Sequence, residues 1–130
     1  MAFFTPEVGI VRSPDSIVWA GALLVPRSGV YRMAFAAEDT MQLHVDGQAV
    51  EVVTVRPEQW ASVGIGSVVR LEEGRHAVRV ILDVTHSGRE LARWNWVPPA
   101  SDGALDSATE WSVVPPQVLR PESPVVLVSR

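Results

Sequence analysis

The sequence predicts an all-β domain, an antiparallel β-sandwich or barrel. Three observations carry that expectation. Apolar residues recur at every second position through much of the chain, and no segment sustains a 3.6-residue apolar period. The alternating runs are cut at short intervals by turns built on Gly, Pro and Asp, the spacing found in sandwiches and barrels. The chain has 130 residues and is 47% hydrophobic, which suffices for one domain with its own core.

In order, residues 1–15 carry Pro6 and Pro14 and predict only a short edge strand around Val8–Arg12. Ser16–Val25 alternates, with Ile17, Trp19, Leu23 and Val25 on one face and Gly21 between them. Pro26-Arg27-Ser28-Gly29 is a turn. Val30–Ala37 is a strand with Tyr31, Met33 and Phe35 facing the core, and Ala34 and Ala36 small enough to be covered too. Glu38-Asp39-Thr40 breaks the apolar run. Met41, Leu43 and Val45 then alternate with polar residues up to Asp46-Gly47, the pair favoured in a two-residue type I′ hairpin, and Val50 and Val52 continue the returning strand.

Arg56–Ser62, with Pro57 and Trp60, reads as a loop and Ser67–Leu71 as a strand. Glu72–Arg75 is a turn. His76–Val84 is the longest clean strand, with Val78, Val80, Leu82 and Val84 on one face. Thr85–Arg89 is a hairpin tip, and Glu90–Val97 returns with Ala92, Trp94 and Trp96 on one face. Beyond Pro98-Pro99 the composition changes. Ala100–Glu110 is a small, polar loop, and Trp111–Val114 and Pro124–Val128 are edge strands, because the surrounding prolines forbid central ones. The expected organisation is a single domain over residues 1–130, with a core at 17–98 and a Pro-rich extension at 99–130.

Composition narrows the function. A net charge of -4 argues against nucleic acid, which requires a basic stripe. All eleven basic residues are Arg, and Cys is absent, so there is no disulfide framework or thiolate chemistry. No window is long and apolar enough to span a bilayer as a helix, and direct membrane insertion is not expected. The N-terminus lacks the basic and apolar regions of a signal peptide, so an extracytoplasmic or cell-surface location implies a longer parent protein.

No catalytic constellation is legible. There is no G-x-S-x-G elbow, and Gly64-Ile65-Gly66 lacks the Lys and following helix of a phosphate loop. The acids fall mostly in turns and nominate no glycosidase pair. His44, His76 and His86 lack the spacing of a transition-metal site. Glu38 and Asp39 are adjacent loop carboxylates, of a kind that contributes to Ca²⁺ coordination or simply ends a strand. Of five tryptophans, Trp19, Trp94 and Trp96 belong to alternating strands and are expected in the core. Trp60 and Trp111 lie in Pro-flanked loops and are candidates for a stacking surface or a packed lid.

The order of these features resembles the anthrax protective-antigen (PA-14) domain family. The matching residues are Trp19, Gly21, Pro26, Gly29, Tyr31, Glu38, Asp39, Val45, Asp46 and Gly47, then Val69, Leu71, Gly74 and the strand His76–Val84, then Trp96 before Pro98. The resemblance spans Ile17 to Pro98. It implies a β-sandwich serving as an accessory module in sugar-handling enzymes, adhesins, toxins and membrane glycosyltransferases. In the adhesin branch two consecutive aspartates bind Ca²⁺, which grips sugar hydroxyls. Here Glu38 stands where the first aspartate would, and only Asp39 matches strictly.

The expected function is therefore a non-catalytic carbohydrate-binding or accessory module, Ca²⁺-assisted through Asp39 and Glu38. His86 and Arg89 would add hydrogen bonds, and Trp60 and Trp111 a stacking surface. The alternative is a structural or protein–protein interaction domain packed against a larger glycosyltransferase, glycosidase or surface protein.

Overall fold

The computed structural model describes residues 10–12, 16–83 and 92–121. The two longest strands are β2 (Ser16–Val25) and β8 (Gly74–Asp83), which pair antiparallel along their full length, Ser16 opposite Asp83 and Val25 opposite Gly74. On one side of them β4 (Met41–Val45) pairs with β8, and β5 (Gln48–Val50) pairs with β4. On the other side β1 (Ile10–Arg12) and β11 (Leu119–Pro121) share the outer edge of β2, end to end. The second sheet is centred on β3 (Gly29–Ala37). It has β9 (Ala92–Val97) and then β10 (Ser112–Val113) on one side, and β7 (Ser67–Leu71) and β6 (Thr54–Val55) on the other. The result is an all-β sandwich of a six-stranded and a five-stranded sheet, mostly antiparallel, with β6 parallel to β3.

Period-two alternation explains the core. Trp19, Leu23, Val78, Val80, Leu82, Met41 and Leu43 from the first sheet meet Tyr31, Met33, Phe35, Trp94, Trp96, Val69 and Leu71 from the second, all of them buried. Phe35 and Trp94 are directly opposed across β3 and β9 with ring centroids 6.2 Å apart, and Tyr31 tilts against Trp96 at 5.3 Å. The Tyr31 hydroxyl reaches the end of the layer and donates to the Arg27 carbonyl at 2.6 Å.

Several elements differ from the sequence expectation. The strand after Asp46-Gly47 stops at Val50, and the chain then crosses to the other sheet, where Phe35 N–H donates to Val53 O at 2.8 Å and β6 runs beside β3. Arg56–Ser62 is no plain loop: Pro57–Ser62 is a 3₁₀ helix with proline at its start, where a missing N–H costs nothing. Leu119–Pro121 is a strand that alternation did not reveal, because three residues ending in Pro are too short to show a period. The core is not confined to 17–98, since Val114 and Leu119 are 3% and 2% exposed. The expected strand at Pro124–Val128 and the tip at Thr85–Arg89 lie outside the described residues.

At one end of the sandwich the hairpin is locked to the first sheet. Asp46 and Gly47 have φ of 52° and 83°, the pair of positive values a type I′ turn requires. The Asp46 carboxylate accepts from Ala77 N–H at 3.0 Å and meets His76 Nδ1 at 2.7 Å, while His76 Nε2 donates to Glu72 O at 2.7 Å. Both ring nitrogens thus face acceptors, which favours the doubly protonated imidazolium. The hydrogen bond to Asp46 raises the His76 pKa above 6.5, against a smaller opposing effect of burial, and the same bond lowers that of Asp46 below 3.8.

Linkage gives the sign. A raised histidine value stabilises fully below 6.5, and that stability is lost as pH rises through the folded-state value. A lowered aspartate value stabilises above 3.8, and that stability is lost as pH falls through its own folded-state value. The difference in urea midpoint between the parent chain and His76→Ala is therefore expected to be greatest between these limits and to shrink on both sides. A difference that stays constant from acid to alkaline pH contradicts the assignment.

Candidate functional site

In a two-layer sandwich the even positions of β3 face outward, and Arg32, Ala34 and Ala36 would meet water. Yet Arg32 is 4% exposed and Ala34 is fully buried. The outer face of the second sheet is covered around Arg32 by two segments, the loop at 63–66 and the stretch 106–111. The Arg32 guanidinium holds both. Its Nε donates to Ile65 O at 3.1 Å and Nη2 to Gly64 O at 3.3 Å, while Nη1 donates to Asp106 O at 3.0 Å and Thr109 O at 3.2 Å. Four backbone carbonyls thus take the donors of one buried cation.

Each segment is shaped for this. Asp106 folds its own loop by accepting from Ala108 N–H and Thr109 N–H, both at 3.0 Å, and from the Thr109 hydroxyl at 2.6 Å. Those hydrogen bonds, with the nearby Arg32 charge as a smaller cause, lower the Asp106 pKa. Gly66 has a φ of +78°, and a Cβ there would lie 2.6 Å from the Trp111 ring and 2.8 Å from Met33 O.

Trp111 lies over Arg32, 4.7 Å from guanidinium carbon to ring centroid, and meets Trp60 edge-on with centroids 5.5 Å apart. Both rings are half-buried, so the pair is a packed lid over Arg32 rather than an open aromatic patch. The far side of Trp60 borders a cleft of about 280 Å³ lined by Ala36, Pro57, Trp60, Arg93 and Asn95. Its floor is strand pairing: Ala36 sits opposite Arg93 and Ala34 opposite Asn95. Arg93 is exposed, whereas Asn95 is 7% exposed and its amide nitrogen makes a long 3.5 Å bond to Ala34 O.

The cleft lies beside the acidic loop, because Ala36 is only two residues from Glu38. Glu38 is exposed and Asp39 is 5% exposed. The strands entering and leaving 84–91 border the same end, since Ala37 pairs with Ala92 and Met41 with Leu82. His86 and Arg89 lie outside the described residues. Among the described residues no three His, Asp or Glu side chains converge as metal ligands. Two neighbouring carboxylates of opposite exposure fall short of the oxygen shell that Ca²⁺ takes, so the described donors do not by themselves fit that ion.

The family model of the PA14 domain matches residues 12–110. The chain belongs to the PA14 domain family. Solved structures agree on the fold. An anti-sigma factor domain-containing protein from Clostridium clariflavum superposes with a TM-score of 0.59 at 20% identity, over 93% of this chain and 40% of that one. The PA14 domain of the antifreeze protein MpAFP superposes with a TM-score of 0.53 at 14% identity, over 88% of this chain and 55% of that one. This PA14 domain therefore spans about half or less of the lengths of those two chains. No curated protein sequence matches it.

Sequence reasoning singled out Trp60 and Trp111, which the structure brings together, and Glu38 and Asp39, which sit at the same end as the cleft. It missed Arg32, Arg93 and Asn95. The available signal was the outward face of β3, where two alanines flank Ala-sized space beside an arginine: small residues there imply a covering layer.

Removing the guanidinium strands four carbonyls and unseats Trp111. Arg32→Met is expected to destabilise this PA14 domain by about 3 kcal/mol, with Arg32→Lys recovering part because it brings three donors. Gly66→Ala is expected to cost about 2 kcal/mol through overlap with Trp111 and the positive φ. Urea unfolding with near-UV circular dichroism checks both, and a neutral Arg32→Met would refute the bridging role.

Proposed function

We propose that this PA14 domain is a non-catalytic carbohydrate-binding module, an accessory part of a longer protein acting outside the cytoplasm. The observation that carries the reading is the cleft on the outer face of the second sheet. It combines an indole wall fixed from behind, a proline, a small alanine floor and the polar groups of Arg93 and Asn95. An indole beside planar polar groups suits the apolar face and hydroxyl edge of a pyranose ring. At about 280 Å³ the cleft is at the small end of ligand sites and accommodates a single sugar unit. Calcium assistance through Asp39 and Glu38 rests on the loop carboxylates and the family resemblance, and the added contacts from His86 and Arg89 on their place in the neighbouring hairpin tip of the sequence.

A second reading has its own observation. On the flank opposite β10 and β11, Val53 and Val68 are 39% and 56% exposed, beside a groove lined by Val50–Val53, Ser67 and Val68. Exposed valines at a sheet edge favour a docking surface for the rest of a parent protein.

A glycan array probed with the chain, with and without EDTA, separates these readings. Binding that survives EDTA and weakens roughly thirtyfold in Trp60→Ala, the loss of a well-packed aromatic anchor, is the expected result. Binding abolished by EDTA would move the site to the Glu38–Asp39 loop. A flat array from a folded chain would reject carbohydrate recognition and leave the docking reading.

A further inference from the structure

We infer that the Trp60 cleft selects an acidic sugar, a pyranose bearing a carboxylate, with Arg93 as the residue that reads its charge. This rests on the carbohydrate reading and adds the ligand class. Side-chain donors outnumber acceptors among the residues that line the cleft. Arg93 offers five N–H donors and no acceptor, and the Trp60 indole N–H is donor only. Asn95 adds an amide whose nitrogen donates to Ala34 O at 3.5 Å, so its oxygen is the one side-chain acceptor among the lining residues. None of the lining residues Ala36, Pro57, Trp60, Arg93 and Asn95 carries a carboxylate. A neutral sugar presents hydroxyls that donate as readily as they accept, so it needs acceptors from its site. This cleft supplies few. A carboxylate only accepts, and its two oxygens match the fork of a guanidinium.

Position supports the same conclusion. Arg93 stands opposite Ala36 across the β3–β9 pair, so no bulky neighbour on that strand fills the space beside it. Among the described residues Arg93 makes no ion pair, in a chain with fifteen acidic and eleven basic residues. Trp60 is held edge-on by Trp111, which is seated on the buried Arg32. The aromatic wall is therefore ordered before any ligand arrives, and binding loses less side-chain entropy at Trp60.

The test is a titration of the 130-residue chain with methyl glucuronoside, the matching methyl glucoside, a methyl sialoside and acetate, followed by NMR shifts of the indole N–H groups. The uronoside or the sialoside is expected to bind at least tenfold tighter than the glucoside, and whichever is preferred distinguishes an in-chain uronate from a terminal nonulosonic acid. Arg93→Gln should bring the uronoside-to-glucoside affinity ratio close to one, whatever it does to the glucoside affinity itself, and Trp60→Phe should retain the preference. Raising salt from about 0.05 M to about 0.5 M should narrow the gap, as for an exposed charge pair. Equal affinity for uronoside and glucoside, unchanged in Arg93→Gln, would overturn the acidic-sugar inference and leave the carbohydrate reading standing. Acetate binding as tightly as the uronoside would also overturn it, because the ring would then contribute nothing. Failure of all three glycosides would overturn both.

Discussion

The outer face of the second sheet depends on one buried cation. A guanidinium taken out of water without partners is strongly unfavourable, and among the described residues Arg32 bonds to backbone carbonyls rather than to a carboxylate. Four carbonyls from two separate loops replace its water. The constraint acts in both directions: the arginine stays buried only if residues 63–66 and 106–111 close over it, and those loops order only if their carbonyls find donors. Charge-assisted bonds in this dry setting are stronger than neutral ones, which lets a 3₁₀ helix and an irregular loop behave as a third layer on a two-layer fold.

From that point the C-terminal segment can be followed as a strap. Arg27 donates to Pro99 O, and Val30 N–H donates to Gly103 O at 3.0 Å, tying the start of β3 to the loop after β9. The approach there is so close that a Cβ on Gly29 would lie 2.7 Å from Gly103 O. The chain then passes Arg32, lays Trp111 across it, pairs β10 with β9, buries Val114 and crosses to β2 as β11. One flank of the sandwich is thereby closed by a covalent connection between its sheets. The opposite flank, with β5 and β7 at its edges, is crossed by the short link between β5 and β6, and Val53 and Val68 are exposed there.

The longer strands were legible in the sequence to within a residue or two. Their signal is local, since Trp19, Leu23 and Val25, or Val78, Val80 and Leu82, declare a buried face by spacing alone. The type I′ turn at Asp46-Gly47 was legible for the same reason. What escaped was non-local. Nothing near Arg32 in sequence says that Thr109 bonds to it, and nothing near Arg93 says that Trp60 lines the same cleft. The crossing after Val50 was hidden because Val50 and Val52 keep the alternation while the backbone changes sheets. Trp60 and Trp111 were recognised as unusual for their Pro-flanked context, but their meeting depends on a separation of fifty-one residues that no periodicity encodes.

Strands and covering loops are held by different constraints. Residues on alternating strands are tied to the core, and altering them disturbs both layers. The loops that Arg32 gathers are under a weaker constraint: they must supply carbonyls, which every residue has, and a ring to cover the guanidinium. Side chains on the far side of that ring are free of the core. Trp60 is at the junction, packed against Trp111 and lining the cleft, so the buried cation fixes an aromatic wall without dictating what else lines it. Ala36, Arg93 and Asn95 line it from strands whose inward neighbours Phe35 and Trp94 are immobilised by the core. A rigid sheet thus sets the positions of the polar groups, and a rigidly clamped loop sets the position of the ring. Neither depends on the acidic loop at Glu38–Asp39, so the proposed binding surface on this face stands apart from any metal that loop would hold.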